Sequence, residues 1–432
     1  MQASGSHKSN RLTSYIMIGL LLGIAAGYAC NRLAPTPADA IVIAGYFSIG
    51  SDIFLRMIKM IIAPLVFATI VSGITSLGAS GGAVGRIAFK ALAWFVAASL
   101  VSLLVGLVLA TIIQPGHDLG LALPAAGATT NVQAGSLTLK DFASHVFPTS
   151  VVQAMAGNEV LQILVFSIFF GFALAGLKST VAKTIATSID ELVPLMLRFT
   201  DYVMRFAPLG VFAAMAAVIT TQGLGVLLTY GKFVSAFYFA LFVLWAIIIG
   251  AGTTVLQGSV VSLLKFLRQP MAIAFSTSSS EAAFPKMIEQ LMKFGVSERI
   301  AGFVLPLGYS FNLDGSMMYQ TFAALFVAQA FGIELSLGTQ ITMLLVLMVT
   351  TKGIAGVPRA SLVVVAATLP MFNLPANGLV LLVGIDQFLD MGRTMTNVIG
   401  NGVATAVIAK WEGELAEAVA ADLDVVPAVV VG

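Results

Sequence analysis

Long apolar segments follow one another along this chain with few charged residues inside them. The first six lie near 12–31, 42–74, 86–113, 159–178, 191–220 and 226–256. A helix needs about 20 residues to cross the hydrocarbon core of a bilayer, so each segment is close to that length or exceeds it. Only 10% of the residues are charged, whereas about 25% is usual in a soluble domain. The pattern therefore predicts an all-α polytopic membrane protein.

The apolar pattern changes after residue 256, where polar or glycine- and proline-rich clusters interrupt it. Three stretches are divided in this way: 258–292 at the serines of 276–281, 298–331 at 312–316, and 337–376 at 353–358. Each half of the first is too short to cross about 30 Å of hydrocarbon at 1.5 Å per residue, so a helical hairpin that returns to its own side fits better. A hairpin and an interrupted span, each occurring twice, predict inverted repeats around a central site. We expect eight transmembrane helices and two re-entrant hairpins.

The last apolar stretch, 379–411, carries a row of polar side chains. The row consists of Asp386, Asp390, Arg393 with Thr394, Asn397 and Asn401. Steps of three and four residues place them on one face of a helix. Each charge at mid-membrane depth costs about 2.5–3.5 kcal/mol, so this face must meet protein, water or a ligand. We interpret it as a binding site; an ion pair that serves only the fold is the alternative for Asp390 and Arg393.

Composition and motifs exclude several function classes. The net charge of +2 without a basic stripe argues against a nucleic-acid partner. The single cysteine, Cys30, can form neither an intrachain disulfide nor a thiol metal cluster. The sequence has no Gly-x-x-x-x-Gly-Lys-Ser/Thr loop, the nucleotide site that a primary pump would need. It also has no His-Glu-x-x-His run, the zinc-binding motif of a zinc protease. We expect no enzyme activity and no cofactor. A channel remains the rival, although two interrupted hairpins around a compact polar site favour alternating access.

Several motifs occur in an order that is specific to one family of transporters. They are Leu55–Phe67 (LRMIKMIIAPLVF), the serine-rich tip at 276–280, Asn312-Leu313-Asp314-Gly315, Ala355-Gly356-Val357-Pro358 and Asp390–Asn397 (DMGRTMTN). Together they cover nearly the full chain, which therefore resembles the dicarboxylate/amino acid:cation symporter family that includes the glutamate transporters. The resemblance implies a homotrimer in a lipid bilayer and an elevator-type mechanism.

The resemblance also implies a division of the chain into domains. Residues 1–85 form scaffold spans 1 and 2, and residues 86–113 form span 3, which belongs to the transport domain. Residues 114–225 hold an extracellular loop and scaffold spans 4 and 5. The rest of the transport domain occupies 226–411, and a cytoplasmic tail occupies 412–432. Basic residues are sparse in the loops 32–40, 114–150 and 221–231, which places both termini in the cytoplasm. We expect a multi-pass protein of the cell inner (cytoplasmic) membrane.

The site residues follow from the same resemblance. It implies that Arg393 binds the side-chain carboxylate of the substrate, that Asp390 binds its α-amino group, and that Asn397 and Ser279 hydrogen-bond its α-carboxylate. The full substrate set is Ser278, Ser279, Ser280, Ser316, Gly356, Val357, Pro358, Asp390, Arg393, Thr394 and Asn397. Arginine is the usual bidentate partner of a carboxylate, which agrees with this assignment.

Asp390 favours an amino acid over a plain dicarboxylate. In the C4-dicarboxylate branch that helix position looks like serine, because succinate or malate has no ammonium group to pair with a carboxylate. A buried aspartate without such a partner would be costly. We therefore predict import of glutamate or aspartate, with a C4-dicarboxylate (succinate, fumarate or malate) as the alternative substrate.

The coupling ion is predicted from positions that differ from sodium-coupled relatives. Asn401 stands where those relatives have a carboxylate, and Phe95 and Ala98 replace a Tyr and Thr pair, leaving Ser99. The positions that match their sodium sites are Ser99, Asn312, Asp314, Asn397 and Asn401. Because carboxylate and hydroxyl ligands are lost, we predict coupling to H⁺, with a Na⁺-coupled carrier as the alternative. The candidate residues for carrying the proton are Glu281, Asp314 and Asp386.

Overall fold

The computed structural model describes residues 5–77, 82–117, 146–224, 230–351, 360–383 and 385–416, some of them, including 5–11, by backbone alone. Within these ranges the regular elements are helices, apart from one isolated antiparallel bridge between Val296 and Leu415. The prediction of an all-α chain is therefore confirmed over this part of the protein.

The helices are numbered here in chain order. They are α1 (Gly5–Leu33), α2 (Pro37–Leu77), α3 (Gly82–Ile113), α4 (Val151–Gly157), α5 (Val160–Gly176), α6 (Thr180–Met204), α7 (Ala207–Gln222), α8 (Gly231–Leu256), α9 (Ser259–Thr277), α10 (Ser280–Phe294), α11 (Glu298–Phe311), α12 (Asp314–Ala330), α13 (Leu337–Thr350), α14 (Ala360–Thr368), α15 (Leu379–Val383) and α16 (Asp386–Glu412). Short 3₁₀ turns at Leu369–Phe372 and Ala376–Gly378 precede α15.

Several of these helices are long and apolar enough to cross a membrane. Among the described residues, four qualify alone: Ser14–Leu33, Pro37–Thr75, Val84–Ile113 and Gly231–Leu256. The pair α6 and α7 qualifies as a fifth if the two are counted as one bent span. These helices are those of a polytopic membrane protein.

The sequence predicted one span over 191–220, but the structure has two helices there, which meet at an angle of 52°. The first begins earlier, at Thr180, and ends at Met204, and the second begins at Ala207. Pro208 explains the break, because it has no N–H to continue the helix and its ring would collide with the carbonyl group of Met204.

Close packing of α1 on α7 depends on three glycines spaced one turn apart. A Cβ atom added to Gly19, Gly23 or Gly27 would press against the backbone carbonyl oxygen of Pro208, Phe212 or Ala216, respectively. Small residues at intervals of four let membrane helices approach at backbone distance, where van der Waals contact drives their association. The sequence Gly-x₃-Gly-x₃-Gly therefore fixes this helix pair.

Two of the three interruptions predicted in the second half of the chain are present, and the third, at 353–358, lies outside the described residues. Helices α9 and α10 pack on each other as a hairpin. At its tip Ser278 has left-handed backbone angles (φ 49°, ψ 36°), and the Ser279 hydroxyl oxygen accepts the Ala282 N–H at 3.2 Å, which caps α10. The next span is broken between α11 and α12 at Asn312 and Leu313.

The polar-striped helix is shorter than predicted. One helix was expected over 379–411, whereas α15 ends at Val383 and α16 begins at Asp386. The Ile385 N–H bonds to the Leu382 carbonyl oxygen at 3.1 Å, a three-residue step that departs from α-helical pairing. Glycine at position 384, which lies outside the described residues, is a weak helix former. As a result Asp386 lies in the first turn of α16.

The helices pack in two groups that touch each other. Helices α1, α2, α5, α6 and α7 form one group around α2 and α7. In the other group α8, α9, α11 and α12 surround α16, and α3 lies along α12. Contacts of α2 with α10 and α11 join the groups. This arrangement buries α16 almost completely from Asp386 to Ala409.

A cluster of charged side chains joins the end of α16 to the rest of its group. Glu412 pairs with Arg86 (Nη2 to Oε2, 2.7 Å) and Lys90 (Nζ to Oε1, 2.6 Å) of α3. Glu414 pairs with Arg299 and accepts a 2.6 Å hydrogen bond from the Ser297 hydroxyl. The hydrogen bond from Arg86 lowers the pKa of the Glu412 carboxyl. We call these residues the C-terminal ion-pair cluster.

Candidate substrate and cation site

Three charged residues in the first half of α16 form one closed group, the arginine cluster, which consists of Arg393, Asp386 and Asp390. Arg393 Nη1 donates to Asp386 Oδ1 at 2.7 Å, and Nη2 lies 3.4 Å from Oδ2. Its Nε donates to Asp390 Oδ1 at 2.8 Å. The Arg393 and Asp386 side chains are each 1% exposed, whereas that of Asp390 is 17% exposed. Asp390 is therefore the member of the cluster that a ligand reaches most directly.

Two further side chains fix the orientation of the cluster. The guanidinium carbon of Arg393 lies 4.4 Å from the centroid of the Tyr319 ring, so one face of the cation rests on the aromatic ring of α12. The Thr394 hydroxyl donates to Asp390 Oδ1 at 3.1 Å. Both hydrogen bonds that Asp390 receives here, from Arg393 and Thr394, end on Oδ1 rather than on Oδ2.

Helix α8 supports the back of α16 beside this cluster. The Tyr238 hydroxyl donates to the Phe388 carbonyl oxygen, and Trp245 Nε1 donates to the Thr396 hydroxyl oxygen, each at 2.7 Å. A Cβ atom on Gly392 would lie 3.0 Å from Tyr238 ring carbons. Glycine at this position therefore allows α8 to approach the residue next to Arg393.

Asn397 connects the polar face of α16 to the break between α11 and α12. Its Oδ1 accepts the Gly315 N–H at 2.9 Å and the Ser316 N–H at 3.4 Å, and its Nδ2 donates to the Ser316 hydroxyl at 3.2 Å. These are first-turn N–H groups of α12, which have no partner within their own helix. The second Nδ2 hydrogen can donate to a further acceptor.

Four of the residues predicted to couple a cation meet at the same break, whereas a fifth, Asp386, lies in the arginine cluster. Asn312 Nδ2 donates to Asp314 Oδ2 at 3.0 Å and lies 3.3 Å from Asn401 Oδ1, while Asp314 Oδ1 accepts a 3.3 Å bond from the Ser102 hydroxyl. The Ser99 hydroxyl lies 3.4 Å from the Phe311 carbonyl oxygen. Asn312, Asp314, Ser99 and Asn401 are at most 2% exposed.

This second group offers oxygen atoms to a hard cation. In the described part of the chain, the buried Asn312 Oδ1 accepts no hydrogen bond. Together with the Asp314 carboxylate and Asn401 Oδ1 it provides carbonyl and carboxylate ligands, the type that hard cations take. The Asp314 carboxylate can equally bind a proton. The close approach of Asp314 to α16 depends on Gly400, because a Cβ atom there would overlap Asp314 Oδ2.

The hairpin tip reaches α16 through one hydrogen bond. Gln387 Nε2 donates to the Ser278 hydroxyl at 2.8 Å. Ser279 uses an oxygen lone pair for its capping bond, and its O–H can donate to a further acceptor. The Ser280 carbonyl oxygen accepts the Tyr309 hydroxyl at 2.9 Å. The three predicted serines thus lie at the N-terminus of α10, where helical N–H groups favour an anion.

Some predicted residues are not brought to these groups or fall outside the described chain. Glu281 lies in the first turn of α10, with Lys59 of α2 as its nearest opposite charge, and no described hydrogen bond or ion pair joins it to the arginine cluster. Gly356, Val357 and Pro358 lie within 352–359, outside the described residues.

Three contributing side chains were not predicted from the sequence: Tyr319, Gln387 and Ser102. Tyr319 follows Ser316 by three residues on α12, a spacing that places both on one face and could have identified it. Gln387 lies one residue beyond Asp386 and had no such signal, because its partner is on the hairpin. Ser102 follows Ser99 by three residues on α3, so the same helical spacing could have identified it.

Comparisons with known proteins identify the family of this chain and several of its relatives. Residues 12–411 match the model of the sodium:dicarboxylate symporter family. The C4-dicarboxylate transport protein of Rhizobium leguminosarum is 36% identical over 95% of this chain and 92% of its own length. The proton/glutamate-aspartate symporter of Escherichia coli strain K12 is 38% identical over 92% of each chain, and C4-dicarboxylate transport protein 3 of Bradyrhizobium diazoefficiens is 39% identical over 93% of this chain and 88% of its own.

These matches extend over nearly the whole chain and include every described residue of the two polar groups. They indicate a membrane transporter rather than an enzyme, with a small anionic substrate. By sequence, and with a polar site enclosed by apolar helices, this chain belongs to the sodium:dicarboxylate symporter family.

Proposed function

We propose that this chain is a secondary active symporter that imports acidic amino acids, glutamate or aspartate, together with a cation, H⁺. The observation that carries the proposal is the arginine cluster, in which a buried guanidinium is held beside a more exposed carboxylate. An acidic amino acid has the complementary charges, because one carboxylate can pair with Arg393 and the ammonium group with Asp390. The relative from E. coli is named for glutamate and aspartate.

The remaining carboxylate of the amino acid would bind between the two helix starts that flank the cluster. Ser279 at the start of α10 and Asn397 beside the start of α12 each keep a hydrogen to donate. Both helix N-termini carry partial positive charge that favours an anion. The tip of the second hairpin, including Gly356, Val357 and Pro358, would close over the substrate.

The proposed transport cycle uses the two groups of helices as two domains. Helices α1, α2 and α5–α7 would form the scaffold and the contacts of a homotrimer in the inner membrane, with both termini in the cytoplasm. Helix α3 and the helices from α8 onward would form a transport domain that moves across the bilayer like an elevator. Eight spans and two re-entrant hairpins complete this proposal. Saturable counterflow of labelled aspartate in proteoliposomes would separate a carrier from a pore.

Proton coupling is favoured by the ligands at the break between α11 and α12. Asn401 is neutral, and Phe95 and Ala98 supply no oxygen, so the only side-chain anion in this group is Asp314. A sodium ion needs several hard oxygen ligands, whereas a proton needs one. Asp314 and Asp386 are the candidates for carrying it.

We predict that aspartate uptake by reconstituted protein is unchanged when choline replaces Na⁺ at a fixed pH gradient. A protonophore that dissipates the gradient should then reduce accumulation to the equilibrium level. Collapse of uptake in choline, with the pH gradient intact, would contradict proton coupling and establish the sodium-coupled alternative.

A C4-dicarboxylate is the second candidate substrate, because relatives of similar identity from Rhizobium and Bradyrhizobium are named as C4-dicarboxylate transport proteins. Competition of glutamate, aspartate and succinate for binding to purified protein at neutral pH tests the choice. We expect the amino acids to bind more tightly than succinate, and a tenfold preference for succinate would reverse the assignment.

A further inference from the structure

In this structure Arg393 has no free edge for a substrate carboxylate. A guanidinium forms paired bonds to a carboxylate along either of two edges, Nη1 with Nη2 or Nε with Nη2. Asp386 covers the first edge, and Asp390 occupies Nε of the second. The Tyr319 ring covers one face. A substrate carboxylate can therefore form a paired contact only after one aspartate has released Arg393.

Asp390 is the aspartate whose release the geometry favours. Its side chain is 17% exposed, against 1% for Asp386, and it holds Arg393 through one bond where Asp386 makes two contacts. The Asp390 bonds from Arg393 and Thr394 both end on Oδ1, so Oδ2 is the oxygen available to a new partner. Release of Asp390 would open the edge formed by Nε and Nη2.

Charge decides when that release is tolerated. The formal charges of the three members of the arginine cluster sum to −1. Among the described residues, the other titratable groups that face Asp390 are the neutral hydroxyls of Tyr319 on α12 and Tyr238 on α8. The contact of α16 with the hairpin tip is also neutral, between Gln387 and Ser278. A released Asp390 carboxylate thus has no second cation among these neighbours, and an unpaired buried charge is costly.

Resting on the proposed function, we infer that Asp390 must gain a new positive partner for any substrate to bind, and that a proton takes this role when the substrate lacks an ammonium group. An amino acid brings its ammonium to Oδ2. For a C4-dicarboxylate, a hydronium ion transfers its proton to Oδ2, which breaks one hydronium O–H bond, forms the carboxyl O–H bond and leaves a water molecule. The neutral carboxyl then no longer competes for Arg393 Nε. The same site would then accept dicarboxylates with one more bound proton than amino acids.

The test is the ratio of succinate uptake to aspartate uptake by reconstituted protein between pH 7.5 and 5.5. Any proton coupling shared by both substrates cancels in this ratio. Because the apparent affinity follows the fraction of competent protein, the ratio should rise about tenfold per pH unit until Asp390 is mostly protonated. A ratio that does not change with pH would overturn the inference.

Asp390→Asn is the matching variant, since its amide resembles the protonated carboxyl in shape and charge. We expect it to lose aspartate uptake, to take up succinate at pH 7.5 as well as the parent does at acid pH, and to lose the acid dependence. Asp52→Asn, at an exposed carboxylate of α2, should keep the behaviour of the parent. If acid dependence persisted in Asp390→Asn, the proton would reside on the succinate itself and the inference would be wrong.

The two proposals fail differently. Lack of aspartate and glutamate uptake by the parent would refute the proposed function, and the comparison of succinate uptake between the parent and Asp390→Asn would still test the proton step. A second readout is independent of the variant's folding: in the parent, the additional proton offsets the additional negative charge of succinate, so the net charge moved per succinate should equal that moved per aspartate, whereas without that proton succinate would move one positive charge fewer. Equal proton counts for the two substrates would overturn the inference.

Discussion

Replacing Arg393 by alanine should abolish measurable binding of glutamate, aspartate and succinate alike. The substitution removes the cation that each of these anions needs and leaves Asp386 and Asp390 as neighbouring buried carboxylates. Truncating one partner of a buried charge pair costs about 2–5 kcal/mol in affinity, or about 30-fold to several thousand-fold in the dissociation constant. Titration of purified protein in detergent, with a thermal melt to confirm folding, measures the effect.

Arg393→Lys is the matched control that separates the effect of the positive charge from the effect of the guanidinium geometry. Lysine keeps the positive charge but lacks the planar fork that pairs with a carboxylate through two bonds and rests on Tyr319. We expect its affinity to lie between those of the parent and the alanine variant. If alanine left binding unchanged, the assignment of the substrate site to α16 would be wrong.

Gly315→Ala should also reduce transport, although it removes no polar group. A Cβ atom at this position would overlap the backbone carbonyl oxygen of Arg393 and lie 2.7 Å from its Cα. Backbone cannot yield as a flexible side chain can, so α12 and α16 must separate and lose the Asn397 bond to the Gly315 N–H. Overpacking of this kind costs about 1–3 kcal/mol. We expect at least about a fivefold loss of uptake rate.

Gly250→Ala on α8 is the control for the glycine substitution, because a Cβ atom there would have no heavy atom within 4 Å. Alanine also forms helix more readily than glycine. Its uptake and melting temperature should match or exceed those of the parent. Equal losses in both variants would show that the effect at Gly315 is general to helix glycines and not a property of the site.

The two described breaks in the second half of the chain were predictable because polar residues at the breaks themselves interrupt the apolar pattern. Serines at 276–280 and Asn312 with Leu313 divide apolar runs that are otherwise continuous, and the helices end there. The bend at Arg205 and Phe206 was missed, although Pro208 marks it, because the apolar run continues through it. The separation of α15 from α16 had only a glycine as its signal.

The polar face of α16 could be predicted because its spacing follows the helix itself. The sequence could not show which aspartate holds Arg393 most closely, because that depends on how the other helices cover the cluster. In the structure Asp386 is buried and Asp390 is less so. The positions of Tyr319 and Gln387 depend on contacts between elements far apart in sequence. Sequence periodicity locates a polar face, but three-dimensional packing determines which of its groups remains accessible.

The C-terminal ion-pair cluster has a consequence for how the protein is made. Arg86 and Glu412 are separated by 326 residues, so the partner of α3 is synthesised long after α3 itself. Until then α3 must remain inserted without this anchor. A polypeptide shortened before Glu412 would never acquire it, and a fluorescent reporter or purification tag should therefore be attached beyond Ala416, where it leaves both carboxylates intact.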